Sequence, residues 1–191
     1  MKEYHKIQTL FKRDPATKYK TLLYGDYSLP EFELLADVDW IFTEKVDGTN
    51  IRIMWDGDRI RFGGKTDRAQ IPVHLATALD EMFKGKDALF HELFTGGEIC
   101  LYGEGYGPKI QKVGGLYRPD NSFVLFDVRV GQVWMERKNV EAIAAALALD
   151  VVPIIGTGCL QDMIDIVHGG FSSRWGDFKA EGLVARPRVE L

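Results

Sequence analysis

Lys45 sits in the stretch Glu44-Lys45-Val46-Asp47-Gly48-Thr49-Asn50, between the apolar runs Trp40-Ile41-Phe42 and Ile51-Arg52-Ile53-Met54-Trp55. A lysine at the rim of an expected strand, close to a glycine that lets the backbone approach a ligand, can offer its amine to a nucleotide phosphate. The chemistry would be nucleophilic attack on phosphorus. Free lysine has a pKa near 10.4, so on the order of one molecule in a few thousand is neutral at pH 7. Removing that proton costs roughly 4–5 kcal/mol, at ~1.4 kcal/mol per pKa unit. Neighbouring cations or partial burial lower the cost, and a metal helps. Taken alone, KxDG is more often a surface lysine before a tight turn, and chance produces it in on the order of a few per cent of chains this long.

Three further polar clusters stand at the ends of expected strands: Gly103-Glu104-Gly105, Phe126-Asp127 and Glu181-Gly182. An acid can accept hydrogen bonds from ribose hydroxyls or hold a hydrated Mg²⁺, and an aromatic ring can stack on a base. With Lys45 to Asn50, this is an inventory for holding a nucleotide.

The elements that must position these groups follow from the pattern. Ile51-Arg52-Ile53 and Arg59-Ile60-Arg61-Phe62 alternate apolar with polar, and Asp56-Gly57 between them signals a hairpin. Gly63-Gly64-Lys65-Thr66-Asp67-Arg68 then forms a loop with two cations. Leu75, Leu79, Met82 and Phe83 share one helix face after Pro72, and Leu89-Phe90 and Leu93-Phe94 continue it past Gly85. Ile99 to Tyr102 is an expected buried strand that runs into a glycine-dense loop from Gly103 to Pro108. Ser122 to Val130 is a second long strand, and Val133-Trp134-Met135 returns from it. A helix over 137–149, a short strand from Val151 to Ile155, a helix over 160–168 and a strand from Gly182 to Arg186 complete the chain. Strands outnumber helices without alternating with them, so the expected class is α+β with a largely antiparallel sheet and flanking helices. No G-x-x-x-x-G-K-[ST] loop occurs, which excludes a P-loop enzyme.

At 191 residues, 46% hydrophobic and 27% charged, the chain is suited to one globular domain, and disordered and collagen-like classes are excluded. The polar N-terminus offers no signal peptide and no apolar run reaches membrane-spanning length, so a cytoplasmic monomer is the default, a phage protein acting in its host included. Cys100 and Cys159 lack metal spacing and read as core residues. The net charge of −4 argues against coating nucleic acid by bulk charge. Locally, Lys2, Lys6, Lys12, Arg13, Lys18 and Lys20 make the N-terminal part basic, either a solvated face or a surface for a phosphate backbone. Lys109 and Lys112 carry the same two readings. The histidines His5, His74, His91 and His168 join none of the clusters.

The strings EKVDGTN at 44–50, YGEGYGPKIQK at 102–112, FVLFDV at 123–128 and AEGLVARP at 180–187 together resemble the covalent nucleotidyltransferase superfamily. Within it they resemble the nick-sealing ATP-dependent RNA ligases of the phage RNA ligase 2 type. The resemblance implies a nucleotidyltransferase domain of largely antiparallel build, like the ATP-grasp-like adenylation domain of ligases. It implies that Lys45 attacks the α-phosphate of ATP to give lysyl-AMP, with Mg²⁺ or Mn²⁺. AMP then passes to the 5′-phosphate of a nicked strand, and the 3′-hydroxyl seals it. By the same resemblance Glu44 contacts adenine, Val46 lies along the nucleotide and Asn50 approaches phosphate and metal. Glu104 binds ribose, Phe126 stacks on the base with Asp127 beside it, and Glu181 supports the metal, a role extended to Asp127.

The sequence departs from the family in places. Lys65, with Arg68 nearby, stands where phage relatives carry arginine, and a lysine gives a point charge in place of a bidentate fork. Asp47 stands where some RNA ligases have histidine, which blurs RNA against DNA. The family's last motif, a K-x-K strand, is not reached by Leu191. The expectation is therefore one adenylation domain over 1–191, cut before that motif, that binds ATP or AMP and adenylylates itself slowly. A DNA ligase, a capping guanylyltransferase and a non-catalytic nucleotide- or RNA-binding remnant are the other readings.

Overall fold

The computed structural model describes residues 2–188. Its strands are β1 (Phe11–Arg13), β2 (Leu22–Tyr27), β3 (Trp40–Glu44), β4 (Thr49–Trp55), β5 (Ile60–Gly63), β6 (Ile99–Tyr106), β7 (Ser122–Val130), β8 (Val133–Trp134), β9 (Asp150–Val151), β10 (Ile154–Gly158) and β11 (Leu183–Pro187). Its helices are α1 (Pro30–Leu34), α2 (Val73–Phe83), α3 (Asp87–Leu93), α4 (Gly114–Tyr117), α5 (Arg137–Leu147) and α6 (Leu160–Gly169). The pairing is largely antiparallel, with β9 running parallel to β7, so the class is α+β as expected. By contact density the chain forms two compact units. One comprises residues 2–4, 44–153 and 171–182, and the other residues 5–43, 154–170 and 183–188.

The first unit is built on a sheet of order β5-β4-β6-β7-β8, with β9 alongside β7. Alternation along β4 sends Ile51, Ile53 and Trp55 to one face, where they meet Ile99, Leu101, Phe123, Leu125 and Val128. Leu75, Leu79 and Phe83 of α2 and Val140, Ala144 and Leu147 of α5 cover that face. Each large side chain buried there contributes roughly 1.5–3 kcal/mol. The opposite face of the sheet carries the polar groups.

Two expectations change here. The helical pattern over 71–95 is two helices, because Gly85 takes φ +72 and breaks the run between α2 and α3. The glycine-dense stretch from Gly103 is strand, not loop, as far as Tyr106. Its glycines serve close packing: a Cβ on Gly103 would lie 2.3 Å from the Phe123 ring, and one on Gly105 would lie 2.5 Å from Leu75. The strand can therefore pass directly over the core with no side chain at either point.

The second unit holds a three-stranded sheet, β10-β3-β11, packed on α6 through Trp40, Phe42, Leu160, Ile166 and Leu183. It also holds the two-stranded hairpin β1-β2. The strand expected from Val151 to Ile155 is two strands in different sheets, β9 and β10, separated by Pro153, which has no N–H to donate to a ladder. Cys100 is buried as expected, but Cys159 is partly exposed and stands at the N-terminus of α6. Among the described residues no helix is long and apolar enough to cross a membrane.

Candidate active site

The polar face of the first unit's sheet is organised in rows. Asn50 of β4 lies opposite Glu104 of β6, which lies opposite Val124 of β7. In the next row Arg52, Tyr102 and Asp127 align. Between these rows the β6–β7 register slips, leaving Phe126 as an extra residue. Such a bulge re-aims side chains, and here Phe126 and Asp127, adjacent in sequence, both meet Tyr4.

Lys45 follows β3 and enters a loop that is fixed at Lys45, Asp47 and Gly48. Its backbone N–H donates to the Gly182 carbonyl at 2.9 Å. The Asp47 N–H donates to the Tyr117 hydroxyl at 3.1 Å, and the Gln111 amide donates to the Gly48 carbonyl at 2.9 Å. Gly48 is required by proximity: a Cβ there would lie 2.4 Å from the Gly105 carbonyl oxygen and 2.7 Å from Glu104 Cγ. The KxDG glycine thus lets the lysine loop lie directly on the strand that carries Glu104.

Around this loop the charges converge. The Lys45 amine is half exposed and forms an ion pair with Glu181. Burial pushes the Glu104 carboxyl up to about 8. The charge of Lys45 counters that rise, those of Glu181 and Asp47 add to it, and Lys65 counters it again. Glu104 is therefore within electrostatic reach of two acids and two lysines. Asn50 Oδ1, in the same row, is buried with no hydrogen-bond partner. An orphaned buried acceptor beside a buried carboxyl is an arrangement that a bound polar group would satisfy.

The structure brings Lys45, Asn50, Lys65, Glu104 and Glu181 together, and places the other expected residues differently. Glu44 is 1% exposed, and its carboxylate accepts from Ser173 Oγ at 2.5 Å and from the Arg174 N–H at 2.8 Å. This clamps the segment before Glu181 to the start of the lysine loop. Val46 is buried in an apolar cluster with Tyr106, Tyr117, Val124 and Val152, against which Phe126 and Trp175 pack. Phe126 itself is only partly buried. Asp127 is fully buried and accepts from the Tyr4 hydroxyl at 2.6 Å. The metal role expected of it does not fit this placement, since a carboxylate holding a cation must open toward it.

Sequence reasoning did not single out Tyr4, Gln111, Tyr117 or Ser173. Tyr4 sits on the sheet's polar face, with ring centroids 5.1 Å from Tyr102, 5.0 Å from Phe126 and 5.6 Å from Trp134. Its sequence surroundings carry no periodic signal. Tyr117 belongs to a ring cluster with Tyr106, Trp175 and Phe178, at 5.0–5.9 Å between centroids. Only the aromatic density near Trp175 and Phe178 hinted at it.

Among the described residues no group of three or more His, Cys, Asp or Glu could hold a metal by itself. Glu181 and Asn50 Oδ1 instead suit a cation that keeps most of its water and shares the oxygens of a phosphate ligand.

Comparison with solved structures places this architecture. It matches a mutant of Naegleria gruberi RNA ligase with ATP and Mn at 18% identity and a TM-score of 0.65, over 83% of this chain and 48% of that one. It also matches that ligase with PPi, and another mutant of it with AMP and Mn, each at 19% identity and a TM-score of 0.64, over 83% of this chain and 49% of the other. The fold is therefore the nucleotidyltransferase fold of RNA ligases. The chain spans about half the length of these relatives. No curated protein matches it. The RNA ligase family profile matches residues 38–191, and the chain belongs to that family.

Proposed function

We propose that the chain is the nucleotidyltransferase part of an ATP-dependent RNA ligase, with Lys45 as its nucleophile. The observation that carries this reading is the convergence of Lys45, Glu181, Glu104 and the orphaned Asn50 Oδ1 around a glycine that admits no side chain. Relatives of the same fold are solved with ATP, AMP and Mn, which supports ATP and a divalent cation as the ligands.

The Lys45 amine attacks the α-phosphorus of ATP. The ion-paired ammonium first gives one proton to water; the N–P bond then forms, the bond to pyrophosphate breaks with its electron pair on the leaving oxygen, and the second nitrogen proton passes to the released pyrophosphate, which leaves Glu181 ionised. Glu104 is largely protonated at neutral pH because burial raises it to about 8. A neutral carboxyl spares the incoming triphosphate a negative neighbour and can exchange hydrogen bonds with ribose hydroxyls. Lys65 lies close enough to Glu104 to offer charge to the phosphates. Phe126, a partly buried ring packed against the cluster that holds Val46, is the ring offered to the base, with Glu44 at the start of the lysine loop. A divalent cation held through Glu181 and Asn50 would neutralise charge on the phosphates. The 5′-phosphate of an RNA end then takes the AMP from Lys45, and a 3′-hydroxyl displaces AMP to join the strand. A nicked RNA duplex is the substrate the motif set suggests.

The test is incubation with α-labelled ATP and Mg²⁺ or Mn²⁺, followed by denaturing electrophoresis. The expected result is a labelled protein that Lys45→Ala abolishes while its folding transition is retained. Labelling by GTP in place of ATP, or equal labelling of Lys45→Ala, would overturn the reading. AMP binding with no adduct on long incubation would favour a non-catalytic binding module.

A further inference from the structure

The Lys45 group leaves the basic N-terminal region unused. Residues 5–28 carry Lys6, Lys12, Arg13, Lys18 and Lys20 with only two acids, Asp14 and Asp26, in a chain whose net charge is −4. Both carboxylates are engaged. Asp26 pairs with Lys12 at 2.5 Å, and Asp14 accepts from the Ala16 N–H at 2.8 Å. Lys18 and Lys20 form no ion pair with any described residue.

These two lysines flank Tyr19 at the tip of the β1-β2 hairpin, and all three are exposed, with Tyr19 62% accessible. The tip is held in shape. The Asp14 N–H donates to the Thr21 carbonyl at 2.9 Å, and the Tyr19 N–H donates to the Asp14 carbonyl at 2.9 Å. Thr17 Oγ1 accepts from the Thr21 N–H at 3.1 Å, and Arg13 donates to the Tyr19 carbonyl at 3.1 Å. Lys18 and Tyr19 both take left-handed backbone conformations, with φ 54 and 61. L-residues disfavour that region, and two in succession without glycine need surrounding bonds to hold them. Farther along β2, Tyr24 is 61% exposed with its edge to His168 at 4.7 Å.

A pre-ordered turn that holds an aromatic ring in solvent between two unpaired cations matches one ligand chemistry closely. Unpaired bases stack on exposed rings while the flanking phosphates meet lysine and arginine. A duplex keeps its bases stacked on one another and leaves the ring nothing to cover. An acidic peptide would use the cations and not the ring. We infer that Lys18-Tyr19-Lys20, with Arg13, is a docking surface for single-stranded nucleic acid. Tyr19 stacks on a base, and the three cations contact the neighbouring phosphates. None of these residues belongs to the Lys45 group, so the inference stands independently of the ligase reading.

The test is fluorescence anisotropy at several salt concentrations with a labelled oligouridylate that has a 5′-hydroxyl and a blocked 3′ end, and so cannot be joined. An abasic strand of equal length is the control. Tyr19→Ala is expected to weaken oligouridylate binding about tenfold, to leave the abasic strand unaffected and to keep the salt slope. Lys18→Gln with Lys20→Gln is expected to reduce the slope of log affinity against log salt by about 1.4, at ~0.7 per phosphate contact on a single strand. Absence of oligouridylate binding by the unsubstituted chain would overturn the inference, as would unchanged affinity and slope in both variants. Equal loss on the abasic strand, or sedimentation showing that the hairpin joins two copies of the chain, would also overturn it. Adduct formation with labelled ATP, followed in the same samples, reports on the Lys45 site separately.

Discussion

Glu104→Gln separates the electrostatics of the free protein from its chemistry. Burial raises this carboxyl from its ordinary 4.5 to about 8, even with Lys45 and Lys65 nearby. The difference of about 3.5 units, at ~1.36 kcal/mol each, corresponds to roughly 5 kcal/mol of folding free energy lost when the group ionises. Because the folded-state value lies above the unfolded one, the folded state binds the extra proton, and stability falls as pH rises. The contribution is fully present below pH 4.5 and declines by about 1.4 kcal/mol per pH unit. It is reduced by roughly 3 kcal/mol at pH 7 and is gone above pH 8. Glutamine has nearly the same size and no charge to desolvate. Urea unfolding of both proteins at pH 5, 7 and 9 isolates this one group, because all other titrations are shared. The variant should match the unsubstituted chain near pH 5 and exceed it by several kcal/mol at pH 9, while binding ATP more weakly. Parallel stabilities from pH 5 to pH 9, or a variant less stable at pH 9, would refute the claim that burial dominates at Glu104.

Gly103→Ala should destabilise the fold by roughly 3 kcal/mol in urea unfolding, because the added Cβ would lie 2.3 Å from the Val124 carbonyl oxygen and the Phe123 ring. Tyr117→Phe removes the acceptor of the Asp47 N–H at 3.1 Å. It should cost about 1 kcal/mol of stability and slow adduct formation more than it weakens ATP binding, since it loosens the lysine loop. Tyr4→Phe removes the donor to Asp127 at 2.6 Å, and a loss of about 1–3 kcal/mol in unfolding free energy is expected. Unchanged stability would show that the Tyr4 hydroxyl is satisfied equally by water.

The strands around Lys45 were legible because β4 alternates apolar and polar residues through Ile51-Arg52-Ile53 and Asp56-Gly57 marks its hairpin, with Gly57 at φ +99. The GEG stretch misled for a definite reason. Glycine usually signals a turn, whereas here two glycines thin a strand so that Phe123 and Leu75 can pack against its backbone. The bulge at Phe126 was hidden because a register slip leaves no trace in a period-2 pattern, yet it decides where Asp127 points. The clamps on the lysine loop lay further out of reach. Ser173 meets Glu44 across 129 residues and Tyr4 meets Asp127 across 123, and no local pattern encodes such contacts. The order of the motifs, not their periodicity, carried the reading of the site.

The groups beside Lys45 make little sense as devices for folding. A half-exposed pair such as Lys45 with Glu181 contributes ~0–1 kcal/mol in water. Against that stand a buried carboxyl whose ionisation is resisted and a buried amide oxygen left without a donor, each unfavourable by more than the pair returns. A sequence shaped for stability alone would fill the row of Asn50 and Glu104 with apolar side chains, as it does on the opposite face of the same strands with Ile51, Ile53 and Phe123. Asn50, Glu104 and Glu181 break local rules around one amine. A ligand that donates to Asn50, bonds to Glu104 and draws Glu181 off the lysine would relieve all of them at once. Its binding would then stabilise the fold with the logarithm of its concentration over Kd.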